Sequence, residues 1–429
     1  MLPAIRQNEY LYKIPRFDLN RSDIENFADE LTEFHKNFQD CFHRIESRRH
    51  FYRYMTGQFS GLERKSIEPI ALSVEGGNVR AMQRFISDAE WADEKIESRY
   101  RKMVSEELGS PDGAILFDES GFLKKGSESI GVARQYCGNV GKVDNCQIGV
   151  FAAYASSKGY ALLDKKLYLP QKWFEVDYRK KWEKCNLPEE TEFKTKPQLA
   201  ASMLDKLWQE GRVPFKYVLA DSIYGENSDF IDAAESINDI TYFVSIGSDT
   251  HCWLKKQVFL EKQYTCKGNV KSRTILKERE ERHMPVKMLA KDSNGGFWHR
   301  RKVSEGTKGT IEYEFAKHRI ILSRNGLPDR TVWLIIKRTL SDAPEYSYYI
   351  SNAPVTTRLK TFVWLSGIRW AIEQCFEETK SELGMDHYEV RKFTGRHHHI
   401  LVCMLAHFFL WHMKIKLGKK STIYYFVPD

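Results

Sequence analysis

Two short apolar runs that each end in an aspartate constrain the fold of this chain more than any other feature. AILFD occupies 114–118 and YVLAD occupies 217–221, and a turn-forming segment follows each run. Apolar runs of this length that end at turn signals are typical of buried strands. Further strand candidates and a helix that ends at Gly211 lie between the two runs. This order predicts an α/β domain with a mixed sheet flanked by helices, and it places each aspartate at the end of a strand.

Changes in apolar spacing and in charge along the sequence divide the chain into four parts. Strand-like alternation is absent before the turn-rich segment GSPDG (109–113), where apolar positions have helical spacing. The expected parts are an all-helical N-terminal region, an α/β domain in two pieces, a β-rich insertion and a C-terminal tail, at 1–108, 109–249 with 348–416, 250–347 and 417–429. The segment 251–310 carries 15 Lys and Arg against 6 Asp and Glu, so its positive excess is larger than the net charge of +8 of the whole chain.

The composition excludes several classes of protein. Its eight cysteines form no CxxC pair, which argues against a disulfide framework or a zinc ribbon and favours a reducing compartment. The N-terminus has no apolar core typical of a signal peptide, and the most apolar run, 400–413, is too short to cross a bilayer. We therefore expect a cytoplasmic protein without a membrane partner, whose basic balance permits nucleic-acid binding.

The segment IRWAIEQCFEETK (368–380) combines an apolar stripe with charged residues in line. Its apolar positions recur at steps of three and four residues, which predicts one amphipathic helix. Arg369, Glu373 and Lys380 share another face of that helix, because steps of four and seven residues return to nearly the same direction. Arg369 and Glu373 alone would form an ordinary i,i+4 ion pair. The spacing does not decide between such a surface pair and part of an active site.

Asp118 and Asp221, which end the two apolar runs, are candidate ligands for a metal ion. Each aspartate by itself is more often structural, since aspartate favours turns and helix N-caps. In α/β sheets, however, ligands bind beyond the carboxyl ends of strands, and Glu373 on a packed helix would add a third carboxylate. Mg²⁺ prefers oxygen ligands, and phosphodiester cleavage commonly uses two such ions about 4 Å apart. Glu119 is left out of this set, because it points to the opposite face if the strand continues.

Several segments resemble the bacterial insertion-sequence transposases of the DDE superfamily, and among them the insertion sequence 701 group. They are DESGFLKKGSESIGVARQYCGNVGKVDNCQIGVFAAYAS, LYLP, KTKPQLA, LADSIYG and RWAIEQCFEETKSELGMDHYEVR, at 118–156, 167–170, 194–200, 219–225 and 369–391. The resemblance implies a ribonuclease-H-like core, with Asp118, Asp221 and Glu373 as the catalytic ligands of two Mg²⁺ ions. It also implies that Mn²⁺ substitutes for Mg²⁺.

The same family has a signature of tyrosine, arginine, glutamate and lysine in its last catalytic helix. The matching residues here are Arg369, Glu373 and Lys380. Ser366 occupies the position of the tyrosine, so the base-stacking role of that side chain falls to another residue or is absent. Trp364 and Trp370 are the candidate replacements. The two matching cations would contact DNA phosphates, which are natural partners of cations beside metal-bound carboxylates.

The resemblance further implies that the β-rich insertion contacts the cleaved DNA end. Trp298 in GGFWHRR is a candidate for stacking on a displaced base, and ordinary packing within a sheet is the alternative. Other cations follow the first aspartate or alternate with aromatic residues in the helical region, a pattern that suits contacts with a phosphate backbone. These DNA-binding candidates are Lys124, Lys125, Arg134, Arg48 and Arg49. A solvated surface is the alternative for each of them.

Together these expectations describe a DNA transposase. It would bind the terminal inverted repeats of its mobile element, cut the ends by metal-dependent hydrolysis and join the freed 3′-OH ends to target DNA. A homodimer on double-stranded DNA is expected, since two ends must be joined, and the protein would then associate with the bacterial nucleoid. Two alternatives stay open, a ribonuclease-H-fold nuclease or resolvase without strand transfer and a domesticated DNA-binding regulator.

Overall fold

The computed structural model describes five stretches of the chain, residues 21–266, 269–277, 281–292, 297–306 and 309–416. The expected C-terminal tail and the first 20 residues lie outside them. The chain divides into two compact units. The first unit extends to Lys216, includes Glu305–Gly309 and resumes at Ile368, and the second comprises Tyr217–Ser304 and Thr310–Gly367.

Helices build the N-terminal part of the first unit and cover its sheet. In chain order the described helices are α1 (Arg21–Lys36), α2 (Ile45–Gln58), α3 (Ile67–Ser73), α4 (Val79–Ser87), α5 (Asp93–Leu108), α6 (Arg179–Lys184), α7 (Lys196–Glu210), α8 (Ser222–Gly225), α9 (Ser228–Ser236), α10 (Lys287–Asp292), α11 (Leu359–Ile368), α12 (Ala371–Ser381) and α13 (Phe393–Lys416). Residues 21–108 contain helices, turns and loops but no strand, as predicted. Among the described helices, none combines the length and the apolar character needed to span a membrane.

Strands form an antiparallel sheet in the first unit and a larger set in the second. In chain order they are β1 (Ala114–Leu123), β2 (Ala133–Cys137), β3 (Lys142–Ser156), β4 (Gly159–Tyr168), β5 (Tyr217–Ala220), β6 (Thr241–Ile246), β7 (His251–Trp253), β8 (Phe259–Cys266), β9 (Asn269–Leu276), β10 (Met284–Pro285), β11 (His299–Gly306), β12 (Gly309–Arg324), β13 (Leu327–Arg338) and β14 (Tyr346–Ser351). In the first unit β3 is central and pairs antiparallel with β1, β2 and β4. Its half VFAAYAS is buried on both faces, which is typical of a strand covered by helices on both sides.

β1 continues beyond the apolar run, and this corrects the expected position of Asp118. The strand extends to Leu123, so Asp118 lies in its middle rather than at its end. The residues after Asp118 keep pairing with β3, in a register that ends with Leu123 opposite Cys146. Hydrogen bonds with a neighbouring strand satisfy the backbone here, and they outweigh the turn preference of the local sequence.

The prediction of one continuous helix over 368–380 is wrong, because two helices replace it. α11 and α12 are separated by a turn at Arg369 and Trp370. Gly367, a poor helix former, stands just before this turn. A Cβ at Gly367 would come within 2.9 Å of Cγ1 of Val303, so glycine is needed for the close approach of β11.

α7 and α12 cover the sheet of the first unit. α7 begins with a capping box, in which the Thr195 hydroxyl accepts from the N–H of Gln198 and Gln198 Oε1 accepts from the N–H of Thr195. It ends at Gly211, whose φ of 58° is the left-handed conformation that closes many helices. α12 packs against β1, β3 and β4. The predicted helix before the second aspartate-ending strand is therefore confirmed, with its terminal glycine.

α13 is buried along most of its length and packs against α2, α4 and α5. Its histidines are hydrogen-bonded within the core, with His399 Nδ1 2.7 Å from the Tyr54 hydroxyl and His407 Nε2 2.7 Å from Glu378 Oε2. Burial lowers the pKa of His399 to about 3, so this imidazole is neutral. The cysteines whose side chains are described are all buried and free.

The second unit is rich in strands and contains most of the segment 250–347, for which the sequence predicts a β-rich insertion. β5 and β6 are parallel, and antiparallel neighbours follow from β6 in the order β14, β13, β12, β7 and β10. β8 and β9 form a hairpin, and β11 pairs with β12. The two short strand candidates GTIEYEFA and HRIILSR form one strand, β12, whose register with β13 shifts between Ile321 and Ser323. The bounds of the insertion, 250–347, stay a prediction.

Candidate active site

Asp118 lies on the face of the first sheet that α12 covers. Its register partner on β3 is Phe151, and cross-strand partners project to the same face. The ring of Phe151 lies 5.2 Å from that of Phe376 on α12, in an edge-to-face contact. Glu373 precedes Phe376 by about one helical turn on the same helix. Two of the three predicted carboxylates therefore stand on one face of one unit.

Glu119 points to the opposite face, as the alternation of a strand requires. Its Oε1 lies 2.6 Å from Nζ of Lys196 at the start of α7, and both side chains are mostly buried. This ion pair ties β1 to α7. It confirms that Glu119 does not share the face of Asp118, although the two residues are adjacent in the chain.

Glu373 is exposed in the first turn of α12, where the positive end of the helix favours a carboxylate. Arg369 Nη2 lies 3.6 Å from Glu373 Oε1, and the two side chains are 28% and 45% exposed. The i,i+4 ion pair anticipated from the spacing is therefore present. An exposed pair of this kind contributes at most about 1 kcal/mol to stability, so the carboxylate of Glu373 stays free to exchange partners.

Lys380 is anchored beside the strand of Asp118. Its Nζ donates a hydrogen bond of 3.1 Å to the carbonyl of Gly121 and lies 5.1 Å from the centroid of the Phe122 ring. Phe122 is four residues after Asp118 and projects to the same face. Burial lowers the pKa of Lys380 to about 8. The last cation of the family signature therefore lies on the Asp118 face, partly withdrawn from solvent.

Lys124 and Lys125 are adjacent but placed differently. Lys124 Nζ donates a hydrogen bond of 2.7 Å to the carbonyl of Tyr388 and lies 3.4 Å from the centroid of that ring. Burial, followed by the nearby Arg396, lowers the pKa of Lys124 to about 7. Lys125 is exposed. Of these two expected phosphate contacts, Lys125 extends into solvent and Lys124 packs on the segment that follows α12.

Glu378, which the sequence reasoning did not select, fixes α12 to its surroundings. Its carboxylate accepts hydrogen bonds from the Tyr160 hydroxyl and from His407 Nε2, each at 2.7 Å. Burial raises the pKa of Glu378, but the hydrogen bonds from His407 and Tyr160 outweigh it and leave the pKa below its ordinary value. Nothing in the sequence distinguishes Glu378 from its neighbour Glu377, because its partners come from distant β4 and α13.

Asp221 belongs to the second unit and directly follows the end of β5. Its side chain is half-buried and caps α8, with Oδ1 accepting from the N–H of Ile223 at 3.0 Å. The expected position at the end of a strand is confirmed for this aspartate. Asp221 also has the N-cap role that the sequence left open as the structural alternative.

The donor set Asp118, Asp221 and Glu373 fits a hard divalent ion in its chemistry, because Mg²⁺ prefers carboxylate oxygens. In the part of the chain that the structure describes, no three His, Cys, Asp or Glu side chains are grouped so that they could hold a metal ion. The role of these three residues as ligands therefore remains a prediction.

The aromatic residues considered for base stacking have different environments. Trp298 is half-buried in the second unit, where the guanidinium of Arg338 lies 4.0 Å from its ring centroid. Trp364 is half-buried and packs edge-to-face on Tyr217 at 5.3 Å. Trp370 is 50% exposed in the turn between α11 and α12. Of the two proposed replacements for the family tyrosine, only Trp370 presents a largely open ring.

The remaining DNA-binding candidates lie at the surface of the first unit. Arg48 is half-buried, with Nε donating a hydrogen bond of 3.1 Å to the carbonyl of Phe42, whereas Arg49 is exposed. Both line a cleft of about 1160 Å³ between α2, α1 and the turn after α3. Arg134 is exposed on β2, opposite Asn145 on β3. The structure thus leaves Arg49 and Arg134 open to a partner.

Arg396 is a charged residue of the Asp118 face that the sequence reasoning missed. Its guanidinium lies 5.6 Å from the Phe122 ring, and a Cβ at Gly149 would come within 2.7 Å of its Nη2. Gly149 pairs with Ser120, two residues after Asp118 on β1. The available signal was an arginine at the start of α13, ahead of three histidines and a long apolar run.

A family model described as "DDE superfamily endonuclease" matches residues 37–310, which is more than half of the chain. The matched part includes Asp118 and Asp221, whereas Glu373 lies beyond it. The match therefore bears on the strands that hold the two aspartates. The family model does not extend to α12.

A relative matches a longer part of the chain. The "Probable transposase for insertion sequence element IS701" of Microchaete diplosiphon is 25% identical over 370 residues, which cover 86% of this chain and 82% of the relative. A solved structure, the "Cryo-EM structure of piggyBac transposase synaptic complex with hairpin DNA", aligns over 93% of this chain and 77% of that chain. Its TM-score is 0.44 at 10% identity, which is too low to identify a fold or an activity.

Proposed function

This chain belongs to the DDE superfamily of endonucleases, among transposases of the insertion-sequence type, and from this premise we propose the steps that it carries out. It binds the terminal inverted repeats of its own element and hydrolyses a phosphodiester bond at each end. It then joins the freed 3′-OH ends to target DNA. Double-stranded DNA is its partner in both steps, and two protomers act together because two ends are joined.

The observation that carries this proposal is the shared face of Asp118 and α12. Family members hold divalent ions with carboxylates, and Asp118 projects toward the helix that carries Glu373. Asp221, at the end of β5, supplies the third carboxylate in the proposal. Glu119 is excluded by its ion pair with Lys196 on the other face.

Asp118, Asp221 and Glu373 would hold two Mg²⁺ ions, for which Mn²⁺ substitutes. Ions held there would supply activation of the attacking oxygen and stabilisation of the charge on the leaving oxygen. Glu373 is suited to this task because its exposed ion pair with Arg369 is weak and exchanges easily. Arg369, once released, is free to contact a phosphate of the DNA.

The same residues serve both chemical steps. In the first, a water oxygen attacks phosphorus, the bond to the 3′-oxygen of the element end breaks, and this oxygen leaves as a 3′-OH. In the second, that 3′-OH attacks a target phosphate, a new phosphodiester forms, and the target strand leaves with its own 3′-OH. Lys380, which lies beside the strand of Asp118, contacts the DNA backbone close to the reacting phosphate in both steps.

Binding of the terminal repeats is assigned to the basic surfaces outside this face. Arg48 and Arg49 on α2, with Arg134 on β2 and Lys125 after β1, contact the phosphate backbone. In the second unit, Trp298 contacts the cleaved end once the guanidinium of Arg338 moves from its ring.

One experiment tests the activity and separates it from the alternatives. The protein is incubated with end-labelled duplexes taken from the flanks of its own gene, with a target plasmid, and with Mg²⁺, Mn²⁺ or a chelator. We expect metal-dependent cuts at the boundary of the element, followed by joined products in the target. Metal-dependent cuts without joining would support a nuclease or resolvase, and binding without any cut would support a regulator.

A further inference from the structure

Three cations on the Asp118 face share two aromatic rings. Lys380 Nζ lies 5.1 Å and the Arg396 guanidinium 5.6 Å from the centroid of the Phe122 ring, and Lys124 Nζ lies 3.4 Å from that of Tyr388. The two rings are themselves 5.7 Å apart. We call Lys124, Lys380 and Arg396 the Phe122 cation cluster.

The carboxylates near this cluster do not form ion pairs with it. In the described part of the chain, none of its three members forms an ion pair with Asp or Glu, and the two lysines donate only to neutral backbone carbonyls, those of Tyr388 and Gly121. Asp386 lies close enough to raise the pKa of both lysines, and Glu389 close enough to raise that of Lys124, but neither carboxylate forms an ion pair with these lysines. Three like charges gathered in a partly buried space repel one another, and an anion would relieve that repulsion.

Arg396 adds a deeply buried charge to this excess of positive charge. It is 2% exposed, and its Nε and Nη2 are buried without a hydrogen-bond partner in the described residues. The Ser120 hydroxyl, on the strand pair over which the guanidinium lies, is also buried without a partner. The Arg396 guanidinium has a hydrogen bond with the Tyr388 side chain, but no Asp or Glu forms an ion pair with it in the described residues. A buried guanidinium without a carboxylate partner is costly, so its retention calls for an explanation other than stability.

The position of the cluster indicates what the anion is. Phe122, Ser120 and Asp118 project to one face of β1, so the cluster lies along the same strand as the proposed metal ligand. A DNA strand whose cleaved phosphate is held at Asp118 carries further phosphates along its backbone. Phosphate oxygens are charged acceptors and displace neutral carbonyls from ammonium groups.

We propose that the Phe122 cation cluster binds one backbone phosphate of the DNA next to the phosphate held at Asp118. Lys124 and Lys380 leave their backbone carbonyls and contact its oxygens. Arg396 stays buried beneath the rings and acts as a positioning residue, whose fixed charge favours the phosphate at this place. This inference rests on the proposed function and adds a phosphate site and Arg396 to it.

The test uses terminal-repeat duplexes in which one phosphate at a time is replaced by an uncharged methylphosphonate. For the wild type, we expect one position near the cleavage site where this replacement weakens binding roughly tenfold, the value of one charged hydrogen bond. K124Q, K380Q and R396Q are each expected to lose that sensitivity at the same position. R396K keeps the charge and is expected to retain it.

The controls separate this inference from a structural role and from the proposed function. K102Q removes an exposed lysine on α5 that pairs with Glu106 at 3.7 Å, and it should leave the methylphosphonate pattern unchanged. If R396Q weakens binding equally at all positions, or if the lysines act at different phosphates, the inference is wrong while the transposase proposal stands. If R396Q does not fold, K124Q and K380Q decide the question through their shared position. A wild type that neither binds nor cuts the duplexes overturns both.

Discussion

Two groups of buried charges in the first unit differ in whether carboxylates balance them. In one, which we call the Glu97 network, Lys165 Nζ lies 2.6 Å from Glu97 Oε1, and Lys206 and Arg101 approach Glu97 Oε2 at 3.2 Å and 3.5 Å. Arg101 also donates two hydrogen bonds of 2.8 Å and 2.9 Å to the carboxylate of Glu210. Every cation of this network therefore has a carboxylate partner within the fold.

The Phe122 cation cluster has the opposite composition. Lys124, Lys380 and Arg396 lie on aromatic rings and backbone carbonyls, and no ion pair within the described residues neutralises them. Cations over aromatic faces gain about 1–2 kcal/mol each, which does not cancel the cost of removing a charge from water. We therefore assign the first group to the stability of the fold, whereas in our proposal an external anion completes the second.

The largest effect is expected at Asp118, the proposed metal ligand on the same strand as Phe122. Replacing Asp118 by Asn removes the charge of a proposed metal ligand while keeping the shape of the side chain. Cleavage of labelled terminal DNA should fall by roughly a thousandfold or more, since several kcal/mol of transition-state stabilisation are lost. Cleavage rates under single-turnover conditions measure it.

Glu119 provides the matched control for Asp118. It is the next residue of β1, and its partner is Lys196 on the opposite face. Glu119→Gln should keep cleavage within a few-fold of the wild type, with some loss of thermal stability. Equal losses of cleavage in the two variants would show that the face of β1 does not determine function.

The next largest effect is expected in the Glu97 network. Glu97→Gln leaves Lys165 buried without its charged partner, and breaking a buried pair in this way costs roughly 3–5 kcal/mol of unfolding free energy. Denaturant unfolding followed by circular dichroism measures the loss. Glu106→Gln, which removes an exposed partner of Lys102, should change the free energy by less than about 1 kcal/mol. A Glu97→Gln variant as stable as the wild type would contradict the structural role of the network.

A third prediction concerns pH and the Phe122 cation cluster. Burial, followed by the neighbouring Arg396, lowers the pKa of Lys124 to about 7, against 10.5 for an ordinary lysine. Below about pH 7 this lysine is protonated in both states, so its burial costs stability in full. Between about 7 and 10.5 the folded state releases the proton first, so the unfolded state binds more protons and stability rises with pH.

Lys124→Met should remove this part of the pH dependence. The slope contributed by one lysine cannot exceed about 1.4 kcal/mol per pH unit, and Lys380, whose pKa is about 8, keeps a share of the slope in the variant. Unfolding free energies of both proteins at pH 6.5 to 9 measure the difference, with Lys125→Met as an exposed control. If the stability of the variant depends on pH with the same slope as that of the wild type, the pKa of Lys124 is not lowered in the folded state.

Much of the fold could be predicted because its signals are local. β3, β5, β6, α7 and α13 follow from apolar runs, capping residues and a terminal glycine. Asp221 was placed correctly since the residues beside it form the turn. The opposite orientation of Glu119 followed from the two-residue period of a strand, given only that β1 continues.

The errors have a non-local cause. β1 continues past Asp118 because β3 offers a hydrogen-bonding partner, and no property of residues 119–123 reveals that. The turn at Arg369 occurs where Gly367 meets β11, which lies far away in the chain. Lys124 is buried because it packs on Tyr388, which is distant in the chain. Arg396 stands out because no Asp or Glu in the described residues forms an ion pair with it. Spacing within a segment does not contain this information.

The smallest effect is expected at the surface, where some cations form ion pairs with carboxylates and others do not. Arg49 is exposed and forms no ion pair in the described part of the chain, whereas Lys95 on α5 lies 2.7 Å from Asp40 Oδ2. If cations without an ion-pair partner contact DNA phosphates, Arg49→Gln should weaken binding a few-fold. It should also lower the slope of log K against log salt by about 0.9, the value of one phosphate contact. Lys95→Gln removes the same charge from the protein but should leave the slope unchanged, because Asp40 already neutralises it.

Fluorescence anisotropy with a labelled terminal duplex at several salt concentrations measures both slopes. Equal slopes for the two variants would mean that total charge, and not the pairing of individual cations, governs binding to DNA.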